Sequence, residues 1–207
     1  MNTDALRLCL VTDRTLARGR PLVEVVASAV QGGVTMVQLR EKTATTREFL
    51  EEARSLKALL QPLGIPLIIN DRVDIALAVE ADGVHVGQKD MPVAMVRSMI
   101  GPGKIIGLSI TNHEQVARPD AALPDYLGMG PLYAQTTKAD ASTPLGVEGF
   151  RALRAATGKP VIAIGGLNAV NSAPVLAAGA NGLAVVSAIV SAEDPRAAAA
   201  GFMKLLG

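Results

Sequence analysis

Eight short apolar runs rich in β-branched residues alternate with segments of helical periodicity along this 207-residue chain. They predict strands at 8–13, 35–40, 66–71, 83–87, 104–110, 125–130, 160–166 and 182–189. Helices are predicted at 21–31, 46–61, 72–80, 92–100, 147–157, 169–178 and 195–206, and more weakly at 112–123, which contains Pro119. Such alternation is typical of parallel strands joined by helical crossovers. Eight pairs in a chain of this length predict an α/β fold, the single-domain (β/α)8 TIM barrel.

An open, doubly wound parallel sheet is the main structural alternative. Such a sheet usually carries a glycine-rich phosphate turn after its first strand, and LVTDRTLARGR contains no GxGxxG. No low-complexity linker or break in composition divides the chain, so we expect one catalytic domain over residues 1–207. Aromatic residues are only 2% of the chain against 49% hydrophobic residues, which suits small aliphatic side chains packed between helices and buried strands.

Charge and cysteine content exclude several classes of function. The net charge of +1 provides no basic field for nucleic acid. Cys9 is the single cysteine, lies in the apolar run LCLV and is predicted to pack as a small hydrophobe, as in a reducing cytoplasm. The chain shows neither a signal-peptide core nor a charge-free apolar run of 18 residues. We expect a soluble cytoplasmic protein without nucleic-acid or membrane partners, and a homo-oligomer stays open.

The segment VQLREK, residues 37–42, carries an unusual polar stripe. Read as a strand, it places Gln38, Arg40 and Lys42 on one face, because strand side chains alternate. Burying unpaired charge is costly, so this face predicts a pocket for an anion. The alternative is a solvated charge cluster at the end of a strand. Gln38 extends the stripe back into the apolar part of the strand, which favours the pocket.

Carboxylates follow the next two predicted strands. Asn70 and Asp71 end the third strand, and Asp90 follows the fourth. Each aspartate could instead cap the helix after it, with Pro92 just inside the second helix. Because the carboxyl ends of barrel strands share one rim, we favour a Mg²⁺ site made by Asp71 and Asp90. Mg²⁺ commonly takes one or two carboxylates and completes its shell with substrate phosphate and water.

A second anion site is predicted after strands seven and eight. Gly165 and Gly166 in IGGLN would allow a close approach to the backbone, with free N–H groups at the following helix start. VVSAI would add backbone N–H groups and the Ser187 hydroxyl. The alternatives are that the glycines only relieve crowding, and that the long loop 130–143 is a surface loop and does not close over phosphates.

The histidines and standard catalytic motifs indicate little else. His85 lies between valines and is predicted to be a satisfied residue of the barrel interior, whereas His113 is expected to be exposed at a helix start. No Ser–His–Asp order, CxxC pair or HExxH is present, which excludes the common hydrolase and zinc sites.

Motifs along nearly the whole chain resemble the thiamine-phosphate synthase family. They are QLREK, LIINDRVDIALAVEADGVHVGQKDMP, IIGLS, YLGMGPLYAQTTKAD, PLG, AIGGLN and GLAVVSAI, in matching order and spacing. The resemblance implies a barrel that joins a pyrimidine methyl diphosphate (HMP-PP) to a thiazole ethyl phosphate, or to its carboxylated tautomer. Thiamine phosphate forms and pyrophosphate leaves.

The resemblance also assigns roles to residues. The pyrimidine diphosphate would be bound by Gln38, Leu39, Arg40, Glu41, Lys42, Asn70, Ser109 and Lys138. The thiazole phosphate would be bound by Gln135, Thr136, Thr137, Gly165, Gly166, Val186 and Ser187. Asp71 and Asp90 would hold Mg²⁺. Arg40, Lys42, Ser109 and Lys138 are the predicted catalytic residues.

One departure from the family pattern bears on the alternatives. Family members commonly read Ser-x-His-Thr after strand five, whereas this chain reads Ser109-Ile110-Thr111-Asn112. The related thiazole tautomerase resembles this chain but looks to that missing histidine for proton transfer. A barrel that only binds thiamine intermediates would need no leaving-group site. Both alternatives are therefore less favoured than the synthase.

Overall fold

Eight parallel strands form a closed barrel in this computed structural model, which describes residues 3–134 and 143–207. Each strand pairs with the next in sequence, and β8 pairs with β1. The strands are β1 Leu8–Val11, β2 Met36–Leu39, β3 Leu67–Asn70, β4 Gly83–Val86, β5 Ile105–Ile110, β6 Tyr126–Met129, β7 Val161–Ile164 and β8 Gly182–Val185. The closed sheet confirms the predicted barrel and rules out the open doubly wound sheet.

Helices follow the strands and cover the outside of the barrel. They are α1 Leu22–Gln31, α2 Thr46–Leu60, α3 Val73–Ala78, α4 Val93–Ile100, α5 His113–Ala117, α6 Gly146–Ala155, α7 Ala173–Ala177, α8 Ser187–Val190 and α9 Pro195–Leu206. α2 begins with a capping box, in which Thr45 accepts the Glu48 amide and Glu48 accepts the Thr45 amide. None of these described helices is long and apolar enough to cross a lipid bilayer.

Alternation along the strands builds two separate apolar cores. The inward side chains form a small cluster: Leu6, Cys9, Val11, Met36, Ile68, Tyr126, Ile162 and Ala184. The outward side chains join the helices in the larger cluster. Cys9 is fully buried, and this burial raises the pKa of its thiol to about 12, so it packs as a hydrophobe, as predicted.

Most predicted elements differ from the structure by one or two residues at an end, and three were wrong by four residues or more. The strand predicted at 182–189 ends at Val185, and Ser187 begins α8. The β-branched run VVSAI is typical of a strand, but Val186, with ψ −90°, turns the chain out of the sheet. The helix predicted at 112–123 stops at Ala117, because Pro119 has no N–H and keeps Arg118 extended.

The third error lies after β7, where the helix predicted at 169–178 begins only at Ala173. Asn168 Oδ1 accepts the amides of Val170 and Asn171, and Asn171 Oδ1 accepts the Asn168 amide. These short polar side chains hydrogen-bond the local backbone and so compete with a helix. The loop amides that we expected to be free for an anion are therefore already occupied.

Gly182 lies where the barrel closes, and its substitution tests the packing of that seam. A Cβ at this position would overlap the backbone carbonyl of Leu6. We expect Gly182→Ala to lower the free energy of unfolding by about 1–3 kcal/mol or more, measured by denaturant titration. The control Gly201→Ala in α9 meets no atom within 4 Å and should raise stability by up to about 1 kcal/mol. Equal midpoints for both variants would contradict the packing described.

Candidate active site

The polar stripe after β2 lies at the carboxyl rim of the barrel, although the strand is shorter than predicted. β2 ends at Leu39, so only Gln38 of the stripe is in the strand, where it is 4% exposed. Arg40 continues from the strand end, and its amide donates to Thr12 Oγ1 at 3.0 Å. Its Nη1 lies 3.4 Å from Asp13 Oδ2. Thr12 therefore fixes the Arg40 backbone, and Asp13 positions its guanidinium. Neither role could be predicted from the sequence, because the contacts join segments that are far apart in the chain.

The alternate residues of this segment point away from the rim. Leu39 is fully buried in the outer core. The Glu41 side chain is 2% exposed, and its Oε1 lies 3.4 Å from Nε of Arg14, which also pairs with Glu52 at 2.8 Å. Burial, with the neighbouring Glu41, raises the pKa of Glu52 despite Arg14. Substrate contacts from Leu39 and Glu41 would therefore use their backbone.

Lys42, Asp71 and Asp90 converge at the rim. Lys42 Nζ lies 2.6 Å from Asp71 Oδ2. Partial burial and the nearby Asp71 carboxylate raise the pKa of Asp90 above its ordinary value, whereas the Gly87 amide and Lys42 act in the opposite direction. Two carboxylates and one ammonium thus share a small volume beside β3 and β4. Such an arrangement favours a cation that would relieve the repulsion between the carboxylates.

Neither aspartate caps the helix that follows it. The first residues before α3 and α4 are Arg72 and Pro92, and neither helix has a side-chain cap. Asp90 Oδ2 accepts the Gly87 amide at 2.7 Å, and Asp71 adopts a left-handed φ of 62°. A non-glycine residue in that region is strained and is often found at functional sites. The structural alternative of helix capping is therefore wrong for both residues.

Ser109 lies near the end of β5 and faces the barrel interior. His85 Nε2 is 2.9 Å from Ser109 Oγ, and His85 Nδ1 is 2.9 Å from Tyr126 Oη. Asn70 pairs with His85 in the register of β3 and β4, which places its side chain beside the same end of the interior. His85 is 8% exposed, as predicted for a satisfied interior residue. Tyr126 was not singled out from the sequence, because an isolated tyrosine in an apolar strand reads as core.

The glycines after β7 and the start of α8 form a second part of the rim. Gly165 and Gly166 have φ values of 101° and 68°. A Cβ on Gly165 would lie 2.7 Å from Pro131 Cα, and one on Gly166 would lie 2.8 Å from Tyr133 Cβ. Both glycines are thus needed because the segment after β6 packs closely against them. This agrees with the alternative that they relieve crowding at the end of the strand. Val186 and exposed Ser187 open α8 on the adjacent strand.

Four predicted substrate contacts, Gln135, Thr136, Thr137 and Lys138, lie outside the described residues. Within the described part of the chain, no group of three or more His, Cys, Asp or Glu side chains could hold a metal. A cleft of about 610 Å³ opens at the opposite end of the barrel, beside Asp4, Thr35 and Lys104. That end of a TIM barrel serves stability, and active sites lie at the carboxyl rim.

Comparisons with known proteins show the family to which the chain belongs. The family model described as thiamine monophosphate synthase matches residues 8–189. A thiamine-phosphate synthase of Albidiferax ferrireducens is 56% identical over 203 residues, covering 98% of this chain and 92% of that protein. One of Chloroflexus aurantiacus is 53% identical, covering 93% and 89%. The solved thiamine phosphate pyrophosphorylase from Pyrococcus furiosus has a TM-score of 0.89 and 38% identity, covering 99% of this chain and 96% of that chain.

Proposed function

We infer that this chain, which belongs to the thiamine monophosphate synthase family, is a transferase that joins HMP-PP to a thiazole phosphate and releases pyrophosphate. The observation within the molecule that supports this function best is the meeting of Lys42, Asp71 and Asp90 beside Arg40 on one rim. A cationic stripe beside paired carboxylates suits a diphosphate held partly through a metal.

Mg²⁺ fits the donors present. The Asp71 and Asp90 carboxylates lie close enough for one to raise the pKa of the other, and both are hard oxygen ligands. Only two such ligands belong to the protein, so substrate phosphate and water would complete the shell. When bound, the ion would neutralise charge on the leaving diphosphate. With Asp71 so engaged, the Lys42 ammonium would be free to contact the diphosphate.

The reaction needs charge stabilisation more than a protein nucleophile. The bond from the methylene carbon to the diphosphate oxygen breaks, and its electron pair leaves with pyrophosphate. The resulting cation is stabilised by the electron-rich aminopyrimidine ring, and the thiazole nitrogen then donates its lone pair to that carbon. Arg40 and Lys42, with Lys138 from the loop after β6, stabilise negative charge on the departing oxygens.

The second anion site would position the nucleophile. Residues Gly165, Gly166, Val186 and Ser187 lie after β7 and β8, where this fold often binds phosphate with the start of a short extra helix. α8 is such a helix, and it begins at Ser187. A thiazole phosphate held there, with Gln135, Thr136 and Thr137, would keep its ring nitrogen near the pyrimidine carbon. Holding two reactants in place lowers the entropic part of the barrier.

We further propose that residues 1–207 form one catalytic domain. Its partners are its two small-molecule substrates, and a buried, unpaired Cys9 suits a cytoplasmic location.

Incubation of the purified protein with HMP-PP, thiazole phosphate and Mg²⁺ tests the proposed function. We expect thiamine phosphate and pyrophosphate in equal amounts. Isomerisation of the thiazole alone would instead identify a tautomerase, and binding of the substrates without turnover would identify a carrier. Either of these results would contradict the proposal.

A further inference from the structure

Three side chains inside the barrel form a continuous hydrogen-bonded chain. Tyr126 from β6 contacts His85 from β4, and His85 contacts Ser109 from β5, with both heavy-atom distances at 2.9 Å. Tyr126 is fully buried, whereas Ser109 is half-buried at the end of the chain nearest the rim. The chain therefore connects the closed interior of the barrel to a residue of the proposed pyrimidine site.

Two glycines make room for this arrangement. A Cβ on Gly107 would overlap both His85 Nδ1 and the Tyr126 ring, and a Cβ on Gly128 would lie 2.9 Å from His85 Cε1. Gly107 lies on β5 and Gly128 on β6, and neither has a left-handed φ that would itself require glycine. The two positions thus serve to seat the imidazole between Tyr126 and Ser109.

The positions of the protons on these three side chains follow from which atoms can donate and which can accept a hydrogen bond. Burial raises the pKa of Tyr126 well above its ordinary value, so the phenol keeps its proton. His85 Nδ1 is the acceptor that the described residues offer to that buried hydroxyl, and an unmade buried hydrogen bond is costly. Tyr126 therefore donates to Nδ1, which places the imidazole proton on Nε2. Nε2 donates to Ser109 Oγ, and the Ser109 proton is left to point elsewhere.

We propose that His85 and Tyr126 are positioning residues that hold the Ser109 hydroxyl as a hydrogen-bond donor toward an acceptor atom of the pyrimidine substrate. This inference rests on the proposed function, because it takes Ser109 as part of the pyrimidine site. The acceptor is a ring nitrogen or a diphosphate oxygen of that substrate. Tyr126 and His85 contribute to substrate selection without contacting the substrate's reacting atoms.

The tautomer is measurable without any substrate. The chain has only two histidines, and His113 is exposed at the start of α5, so a ¹⁵N-histidine-labelled sample gives one interior and one exposed imidazole. We expect the interior ring to carry its proton on Nε2 in two-bond ¹H–¹⁵N correlation spectra. In Tyr126→Phe the donor to Nδ1 is lost, so the ¹⁵N resonance of the unprotonated Nδ1 should move downfield, as expected when an imidazole nitrogen loses a hydrogen-bond donor. A wild-type ring protonated on Nδ1, or spectra unchanged in Tyr126→Phe, would overturn the inference.

Kinetics test whether the pair acts through Ser109. Tyr126→Phe should raise KM for HMP-PP about tenfold, with kcat and KM for thiazole phosphate nearly unchanged. In a Ser109→Ala background the same substitution should add less than about a twofold effect, because the two changes share one interaction. Equal effects of Tyr126→Phe in both backgrounds would show a general packing role and overturn the positioning role.

A second variant keeps the test independent of the phenol itself. Gly107→Ala should separate His85 from Tyr126 and reproduce both the spectral and the KM changes, whereas Gly103→Ala, which meets no atom within 4 Å, should reproduce neither. Wild-type spectra and kinetics in folded Gly107→Ala would count against the inference. If the protein lacks condensing activity, the proposed function fails, but the tautomer measurements still decide how the three side chains share their protons.

Discussion

Replacing Asp71 with asparagine is expected to lower kcat for the condensation by about 100- to 1,000-fold, the usual effect of removing one group that stabilises transition-state charge. The change removes a negative charge and keeps the shape of the side chain. Asparagine also tolerates the left-handed φ of 62° at this position, so the backbone should keep its course. The concentration of Mg²⁺ at half-maximal rate should rise in the same variant, measured by steady-state assays across a metal titration.

Asp74→Asn is the matched control for Asp71. Asp74 lies three residues away on α3 and pairs with Arg72 at 2.6 Å at the surface. Exposed pairs of this kind contribute little to stability, so kcat and the Mg²⁺ dependence should stay near wild type. Near-normal turnover in folded Asp71→Asn would contradict the assignment of Asp71 to the metal.

Removing the Arg40 side chain is expected to lower kcat by about 100-fold or more, with a smaller change in KM for HMP-PP. The reason is that negative charge grows on the leaving diphosphate as its bond to carbon breaks, so the guanidinium is worth most in the transition state. Arg40→Ala should fold, because its ion pair with Asp13 is long at 3.4 Å and Asp13 still accepts the amides of Thr15 and Leu16.

Two further variants separate charge from geometry. Arg40→Lys keeps the charge but loses the planar fork that binds phosphate oxygens in pairs, so an intermediate loss of about tenfold is expected. Arg118→Ala is the control, because it removes an exposed arginine that pairs with Asp120 and is far from Arg40 in the sequence. This change should alter neither kcat nor KM for HMP-PP. A raised KM with an unchanged kcat in Arg40→Ala would mean that Arg40 only binds the substrate and has no role in departure of the leaving group.

The barrel can be predicted from the sequence because the patterns that indicate its strands and helices are periodic and lie within short segments. Each strand is a short apolar run, and each polar outlier at a strand end reaches the same rim by topology. The nearness of Lys42 and Asp71 follows from this logic, since β2 and β3 are neighbours, whereas their direct ion pair was not predicted. The rim residues were therefore accessible from spacing, even though β2 proved shorter than the stripe.

Other features depend on contacts that spacing does not carry. The VVSAI run has the composition of a strand, and only the turn at Val186 reveals α8. The loop after β7 is set by two asparagine side chains that look like ordinary loop residues. Tyr126 gains its role only beside His85, where Gly107 leaves room for both. The first two features are local geometry that composition does not show, and the third depends on side chains from other strands.

A crystal structure of the protein with Mg²⁺, pyrophosphate and thiamine phosphate would locate both anion sites and the metal at once. We expect pyrophosphate between Arg40 and Lys42, with the metal on Asp71 and Asp90. We expect the phosphate of thiamine phosphate beside Gly166 and Ser187. Pyrophosphate bound beside Ser187, or a metal that contacts neither aspartate, would contradict the proposed leaving-group site.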